Sequence, residues 1–351
     1  MADSDTDVPD AGKSLPEDDS PRVRDVALPP DVLAPLAPFA GEPPPTPPWF
    51  ANAVAQAPER SFVTSLGTRI EVLTWGEVGK PGLLFVHGNS AHADWWRFIA
   101  PFFAADYRIA AMSLPGMGAS DWRERYTFTD FSQDAEAVAR AAGLYADGGR
   151  PIYIGHSFGG AQVFSTSVRH PERMRAAILI DVAFGRPPKA VRDRIQRLSE
   201  TRNIPTADSP AKVYATLAEA LGRFRLMPPQ PAGNLFAADF IARHSLKRAP
   251  LERGTGEGWA WRFDPNMWIK LDITDMGLGG RRREDLEVPL VHFYGAQSRL
   301  MEHRLETART LFPPGHLEIE IPDAGHHVMV DQPLALVAGL RTLLAAWPPA
   351  A

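Results

Sequence analysis

Residues 151–163 read "PIYIGHSFGGAQV": four residues that lean apolar, then Gly155-His156-Ser157-Phe158-Gly159, then a run of small side chains. A short apolar run fits a strand buried on both faces, and the small residues behind it fit a helix that lies close against that strand. Ser157 therefore falls on a sharp turn between strand and helix, where its Oγ projects outward and the flanking glycines avoid clashes. A serine so placed becomes a nucleophile if a histidine takes its proton and an acid holds that histidine. The Gly-x-Ser-x-Gly string alone is weak, since a chain rich in glycine and serine can contain it by chance. Its setting gives it weight.

Outward from this stretch, the chain alternates strand and helix from residue 82: "GLLFVHG", "DWWRFIAPFFAAD", "RIAAMSL", "FTDFSQDAEAVARAAG", "PIYIGHS". Apolar runs of this kind between helical stretches predict an α/β fold with a doubly wound, mostly parallel sheet. Before it, "SFVTS" and "TRIEVLTWG" read as a hairpin turning at Leu66-Gly67. Beyond it, strands follow at 175–181 ("RAAILID"), 288–295 ("VPLVHFYG") and 317–325 ("LEIEIPDAG"), and "PLALVAGLRTLLAAW" is the final helix. Residues 182–287 are too many for a loop and carry helical patterns of their own, one starting at Ser209-Pro210 and one through "NLFAADFIARHSL". They predict a helical cap inserted after the sixth strand, with residues 50–181 and 288–351 as the core. Residues 1–49, dense in proline and acid, predict a disordered tail whose end, Pro47 to Phe50, packs onto the domain.

With 44% hydrophobic residues among 351, the chain can build a sizeable core. The absence of cysteine excludes disulfides, thiolate metal sites and cysteine nucleophiles. A net charge of −5 and a pI near 6.1 leave no electrostatic footprint for nucleic acid. No apolar run is long enough to span a membrane, and the acidic "MADSDTDVPDAG" start is unlike a secretory signal, so the expected location is cytoplasmic. Oligomeric state is not legible.

Two further segments supply partners for Ser157. His87-Gly88-Asn89 ends the first parallel strand, and the turn there brings a backbone amide beside the residue after the serine, so the Asn89 and Phe158 amides are the candidate oxyanion donors. Trp96, in the same segment, joins them as a candidate substrate-binding residue, whereas His87 reads as a structural turn residue. In "IPDAGHHVMVDQP", His326 opens a loop at the carboxyl edge of the sheet and is the candidate base. His327 points elsewhere, and the adjacent histidines lack a third ligand at helical spacing, so no metal is expected.

In order and spacing, "HGNSAHADWW", "LPGMGAS", "GHSFGG" and "AGHHVMVDQP" resemble the α/β-hydrolase superfamily over residues 60–346. The resemblance implies a Ser–His–acid triad, a cap over the site and no cofactor. Relatives such as haloalkane dehalogenases and epoxide hydrolases carry aspartate where this chain has Ser157, which argues against both activities. Ser113 stands where many members have aspartate. The usual acid position, after the glycine that ends the strand following the cap, holds Ser298 and then Arg299. Some members draw the acid instead from the end of the strand before the cap, which here is Asp181. Glu302 is the alternative, and Asp323 a more distant one.

The resulting expectation is a serine hydrolase of a small-molecule carboxylic ester, lactone or thioester, with Ser157, His326 and Asp181 as the triad. Aromatic residues of the cap (Phe236, Phe240, Trp259, Trp261, Phe263, Trp268) fit either an apolar substrate group or the cap's own packing. Arg223, Arg225 and Arg262 could bind a substrate carboxylate, as in C–C bond hydrolases. A hydroxynitrile-type lyase and a non-catalytic ligand receptor are the rival readings.

Overall fold

Side chains along the central strands alternate between two apolar layers, and this alternation organises the molecule. In the computed structural model of the chain, residues 28–145, 148–184, 212–251, 255–276, 281–302 and 304–347 are described. Eight strands form one sheet: β1 (Glu59–Ser65), β2 (Thr68–Trp75), β3 (Gly82–Val86), β4 (Arg108–Met112), β5 (Ile152–His156), β6 (Ala176–Ile180), β7 (Leu290–Gly295) and β8 (Leu317–Ile321). Their order is β1-β2-β4-β3-β5-β6-β7-β8. The β1/β2 and β2/β4 pairs are antiparallel and the remainder parallel. Every residue of β3, β5 and β6 is buried, as continuous apolar runs require.

The principal helices are α1 (Pro48–Ala55), α2 (Phe128–Ala141), α3 (Phe158–Arg169), α4 (Leu235–His244) and α5 (Pro333–Ala346). Phe85, Ile154, Ile178 and Phe293 face Leu336 and Leu340 of α5 on one side of the sheet. On the other side, Leu84, Tyr153 and Leu179 face Phe131 and Val138 of α2 and Phe164 of α3. The start of α2 is fixed by Thr127, whose Oγ1 accepts a hydrogen bond from the Asp130 amide at 2.9 Å, and Arg140 in its last turn complements the dipole.

The hairpin turns where expected, with Leu66 at φ 48° and Gly67 at φ 72°, the paired left-handed residues of a tight two-residue turn. Between β6 and β7 the sequence predicts helices alone, and the helix over "NLFAADFIARHSL" is present as α4; the start at Ser209-Pro210 lies outside the described residues. The tryptophan-rich piece differs. Residues Leu246–Pro250 and Glu257–Trp261 form an antiparallel ribbon in which Gly258 and Ala260 are buried and Trp259 and Trp261 half-buried. This period of two within "EGWAW" is a strand pattern that the tryptophan content obscures. Leu271–Asp272 pairs with Tyr126–Thr127, and Phe263 bridges to Met117, so the segment is stitched to the core by main-chain pairing.

The expected disordered tail is corrected over residues 28–49; residues 1–27 lie outside the described residues. Pro30–Leu33 makes a helical turn that buries Val32, and Leu36 is only 1% exposed. Trp49 and Phe50 reach Phe236 of α4, with ring centroids 5.9 and 4.9 Å apart. Prolines already restrict their own φ, so this stretch loses less entropy on ordering than its composition implies, while the apolar residues between them have a surface to bury. Deleting residues 1–45 should therefore lower the melting temperature by several degrees, and Leu36→Ala alone should cost about 2–5 kcal/mol in urea unfolding. An unchanged melting temperature after the deletion would show that this docking contributes nothing.

Candidate functional site

Ser157 leaves β5 at φ 51° and ψ −118°, a conformation that costs a β-substituted residue appreciable strain. The surroundings impose it. A Cβ on Gly155 would lie 2.5 Å from the Gly159 carbonyl oxygen, and one on Gly159 would lie 2.3 Å from the His87 carbonyl oxygen, so the strand, the helix and the turn after β3 meet without room for side chains. The Ser157 amide donates to the Ile180 carbonyl at 2.9 Å, tying the turn to the neighbouring strand.

Sheet register supplies the second group. His156 pairs with Ile180, so Asp181 stands one strand over from Ser157 at the carboxyl edge. Its backbone is also left-handed, at φ 49°, which aspartate tolerates better than most residues. The third group, His326, follows β8. Its Nε2 is 3.0 Å from Ser157 Oγ and its Nδ1 is 2.6 Å from Asp181 Oδ1. A carboxylate only accepts, so Nδ1 carries the proton and Nε2 receives the Ser157 hydroxyl. Ser157, His326 and Asp181 are thus brought together as one chain of hydrogen bonds.

Asp181 is fully buried, and an ionised carboxylate there requires several donors. Besides His326 it accepts from Ser298 Oγ at 2.8 Å and from the Gly295 amide at 3.0 Å. Ser298, read in the sequence as a vacancy in the usual acid position, is a hydrogen-bond partner of Asp181. His292, which sequence reasoning did not single out, accepts the Val182 amide at 3.2 Å through Nε2 and so holds the turn beyond Asp181. Burial lowers its pKa to about 4, which leaves that nitrogen free to accept at neutral pH. Glu302 is exposed on the helical turn Arg299–Glu302, and Asp323 is exposed and accepts from Gln297 Nε2 at 3.3 Å; neither is the partner of His326 Nδ1.

Gly88 lies against the serine, since a Cβ there would be 3.3 Å from Ser157 Cβ, and Asn89 follows it directly in the chain. Phe158 opens α3, and an amide at that position has no acceptor within its own helix. His87 is the turn residue expected: Nδ1 donates to the Gly88 carbonyl at 2.7 Å, Nε2 accepts the Leu114 amide at 2.9 Å, and burial lowers its pKa to about 3. Trp96 is placed differently from expectation. It is fully buried against Phe85, with centroids 4.9 Å apart, inside the core layer. Its neighbour Trp95 approaches the site instead, 5.5 Å from the His327 ring.

His156, His326 and His327 converge, with potential ligating nitrogens within 4.8 Å of one another. Those of His326 and Nε2 of His156 are already committed, however, whereas neither ring nitrogen of His327 has a hydrogen-bond partner among the described residues. Both nitrogens of His326 serve Ser157 and Asp181, His156 Nε2 donates to the His326 carbonyl at 3.0 Å, and His156 Nδ1 faces Gly88, where an added Cβ would be 2.9 Å away. A metal held by all three would have to dismantle the Ser–His–Asp contacts. Burial, followed by the charge of His326, lowers the pKa of both His156 and His327 well below the usual value.

The alpha/beta hydrolase family model matches residues 83–340. The chain belongs to that family. It is 32% identical over 148 residues to a haloalkane dehalogenase of Sphingobium indicum, a match covering 39% of this chain and 48% of the dehalogenase. Thus it spans about half the length of that relative. Epoxide hydrolase A of Mycobacterium tuberculosis is 24% identical over 325 residues, 82% of this chain and 98% of that protein. Among solved structures, the thioesterase domain from the curacin biosynthetic pathway superposes with a TM-score of 0.63 at 21% identity, covering 82% of this chain and 99% of the domain.

Against this family's pattern, the substitution of Ser113 for aspartate has a local answer. Glu71, fully buried on β2, reaches across, and its Oε2 accepts from Ser113 Oγ at 2.7 Å and from the Ala119 amide at 3.0 Å. Arg60 pairs with its other oxygen. The carboxylate that organises the "LPGMGAS" turn of this hydrolase thus comes from the neighbouring strand. Ser113→Asp should put two carboxylates in one buried pocket and cost about 2–4 kcal/mol in chemical unfolding. Adding Glu71→Gln should recover most of that loss. If the double variant is no more stable than Ser113→Asp, the two positions do not exchange this role.

Proposed function

We propose that this alpha/beta hydrolase is a serine hydrolase that cleaves a small-molecule carboxylic ester, or the related lactone or thioester, through an acyl-enzyme. The observation that carries the reading is the unbroken contact from Ser157 Oγ through His326 to Asp181, at 3.0 and 2.6 Å. A serine in place of the aspartate expected of dehalogenases and epoxide hydrolases supports acyl chemistry over alkyl chemistry.

Ser157 Oγ attacks the carbonyl carbon while its proton passes to His326 Nε2, and the imidazolium so formed is held by Asp181 at Nδ1. The Asn89 and Phe158 amides receive the oxyanion, aided by the positive end of α3. The leaving alkoxide takes the proton back from Nε2. Water, deprotonated by His326, then attacks the acyl carbon, and Ser157 recovers its proton as the acid departs. The segment between β6 and β7 acts as a cap: Trp268 meets Phe158 edge-on at 5.8 Å, next to the oxyanion amide. Phe236 and Phe240 pack on Phe50, which supports the structural reading of these two aromatic residues. Arg223 and Arg225 are exposed, and Arg262 donates through Nε to the Leu246 carbonyl at 2.8 Å, so none of the three favours a carboxylate-bearing substrate.

A fluorophosphonate should add one label to the native chain and none to Ser157→Ala. Turnover of p-nitrophenyl esters of graded chain length should exceed that of haloalkanes and epoxides, and the opposite order would overturn the ester assignment.

Asp181→Asn should lower kcat by roughly 10²–10⁴-fold while preserving the fold, because the amide favours the wrong histidine tautomer. Glu302→Gln should change little. Since Ser298 Oγ already touches Asp181 Oδ1, Ser298→Asp added to Asp181→Asn should restore part of the activity. Near-native turnover of Asp181→Asn with an inactive Glu302→Gln would move the acid to Glu302.

A further inference from the structure

The loop that carries His326 is held on both sides by groups the mechanism does not use. The Gly325 amide donates to Asp331 Oδ2 at 2.8 Å, and the His327 amide donates to Gln230 Oε1 at 3.1 Å. Gln230 Nε2 in turn donates to the same Asp331 Oδ2 at 2.7 Å, closing a clamp across the backbone of the base. Asp331 Oδ1 accepts the Gly233 amide at 3.0 Å. The contact is tight: a Cβ on Gly325 would lie 2.9 Å from Gln230 Oε1. Asp331 belongs to the same stretch as His326, but Gln230 lies between β6 and β7, in the inserted segment.

We infer that Gln230 is a positioning residue for His326, so that the cap holds the general base in register with Ser157 as well as covering it. This rests on the assignment of Ser157 and His326 above. The physical reason is the short lever between the clamp and the imidazole. The amides on either side of His326 are fixed, and its carbonyl is held by His156, so the ring has little freedom beyond its own torsions. Releasing the His327 amide lets the backbone rotate and draws Nε2 away from its 3.0 Å contact. A misplacement of about 1 Å in a catalytic group can cost on the order of 10²-fold in rate. Gln230 takes no part in the acyl-transfer steps themselves, so the effect should fall on kcat rather than on KM.

The test uses the full chain and the rate and end point of fluorophosphonate labelling at Ser157, beside kcat, KM and melting temperature. Gln230→Ala should label to the same end point, about one per chain, but roughly 10–100-fold more slowly, with kcat reduced in parallel and KM within about twofold. Gln230→Met, which keeps the volume and removes the side chain's hydrogen bonds, should behave alike and guards against a collapse caused by the cavity. Asn234→Ala serves as a control. Asn234 Nδ2 donates to the Val330 and Asp331 carbonyls at 2.9 and 3.0 Å, away from the amides that flank His326, so this variant should lower the melting temperature yet label at the native rate. If both Gln230 variants label as fast as the native chain, the positioning role is wrong while the serine hydrolase reading stands. If their end point and melting temperature fall together, Gln230 is merely structural. A native chain that takes no label at Ser157 overturns both assignments.

Discussion

At Ser157 the chain turns through a left-handed backbone conformation that, for a residue bearing a side chain, costs of order 1–3 kcal/mol. That conformation persists because three packed elements converge on it. β5 arrives with all its residues buried, α3 leaves with a face of small residues pressed on the sheet, and the turn after β3 closes from the side. Relaxing Ser157 would require moving strands whose two faces are both committed to apolar layers. A hydroxyl held outward in this way requires no reorganisation when a reaction begins.

The second constraint is the buried carboxylate of Asp181. An ion in so dry a setting is stable only when its lone pairs are filled, and the three donors come from three different places: His326 after β8, Ser298 after β7, and the amide that ends β7. The carboxyl ends of the parallel strands therefore act as one unit, with each strand presenting a group that completes its neighbour. Buried histidines serve the same end. His87 and His292 are kept neutral by desolvation and used as hydrogen-bonding posts for backbone turns. Their presence among the site's neighbours is structural, and it makes a count of histidines a poor guide to catalytic ones.

A similar exchange occurs at Glu71 and Ser113. A carboxylate associated with one strand in many relatives is supplied here from the adjacent strand, at the same point in space. Because antiparallel pairing fixes β2 against β4, the two positions face each other and either could supply the charge. The family resemblance survives the change because the local requirement is for an acceptor at that point, whichever residue provides it.

By itself, the sequence determined the doubly wound sheet and the turn at Ser157 and offered His326 as a candidate base, because these are local signals: continuous apolar runs, glycines around a serine, and a histidine just past a strand. It also narrowed the acid to a few carboxylates by leaving none at position 298. Only the tertiary structure decided the rest. The contact of Asp181 with His326 depends on register between β5 and β6, the bond from Ser298 depends on where β7 ends, and the docking of residues 28–49 depends on an apolar surface to which α4 contributes. The ribbon in the inserted segment was hidden because its period of two spans only five residues. The Gln230 clamp left no mark in the sequence, since one glutamine in a proline-rich loop acquires meaning only when folding brings it to the backbone of His327.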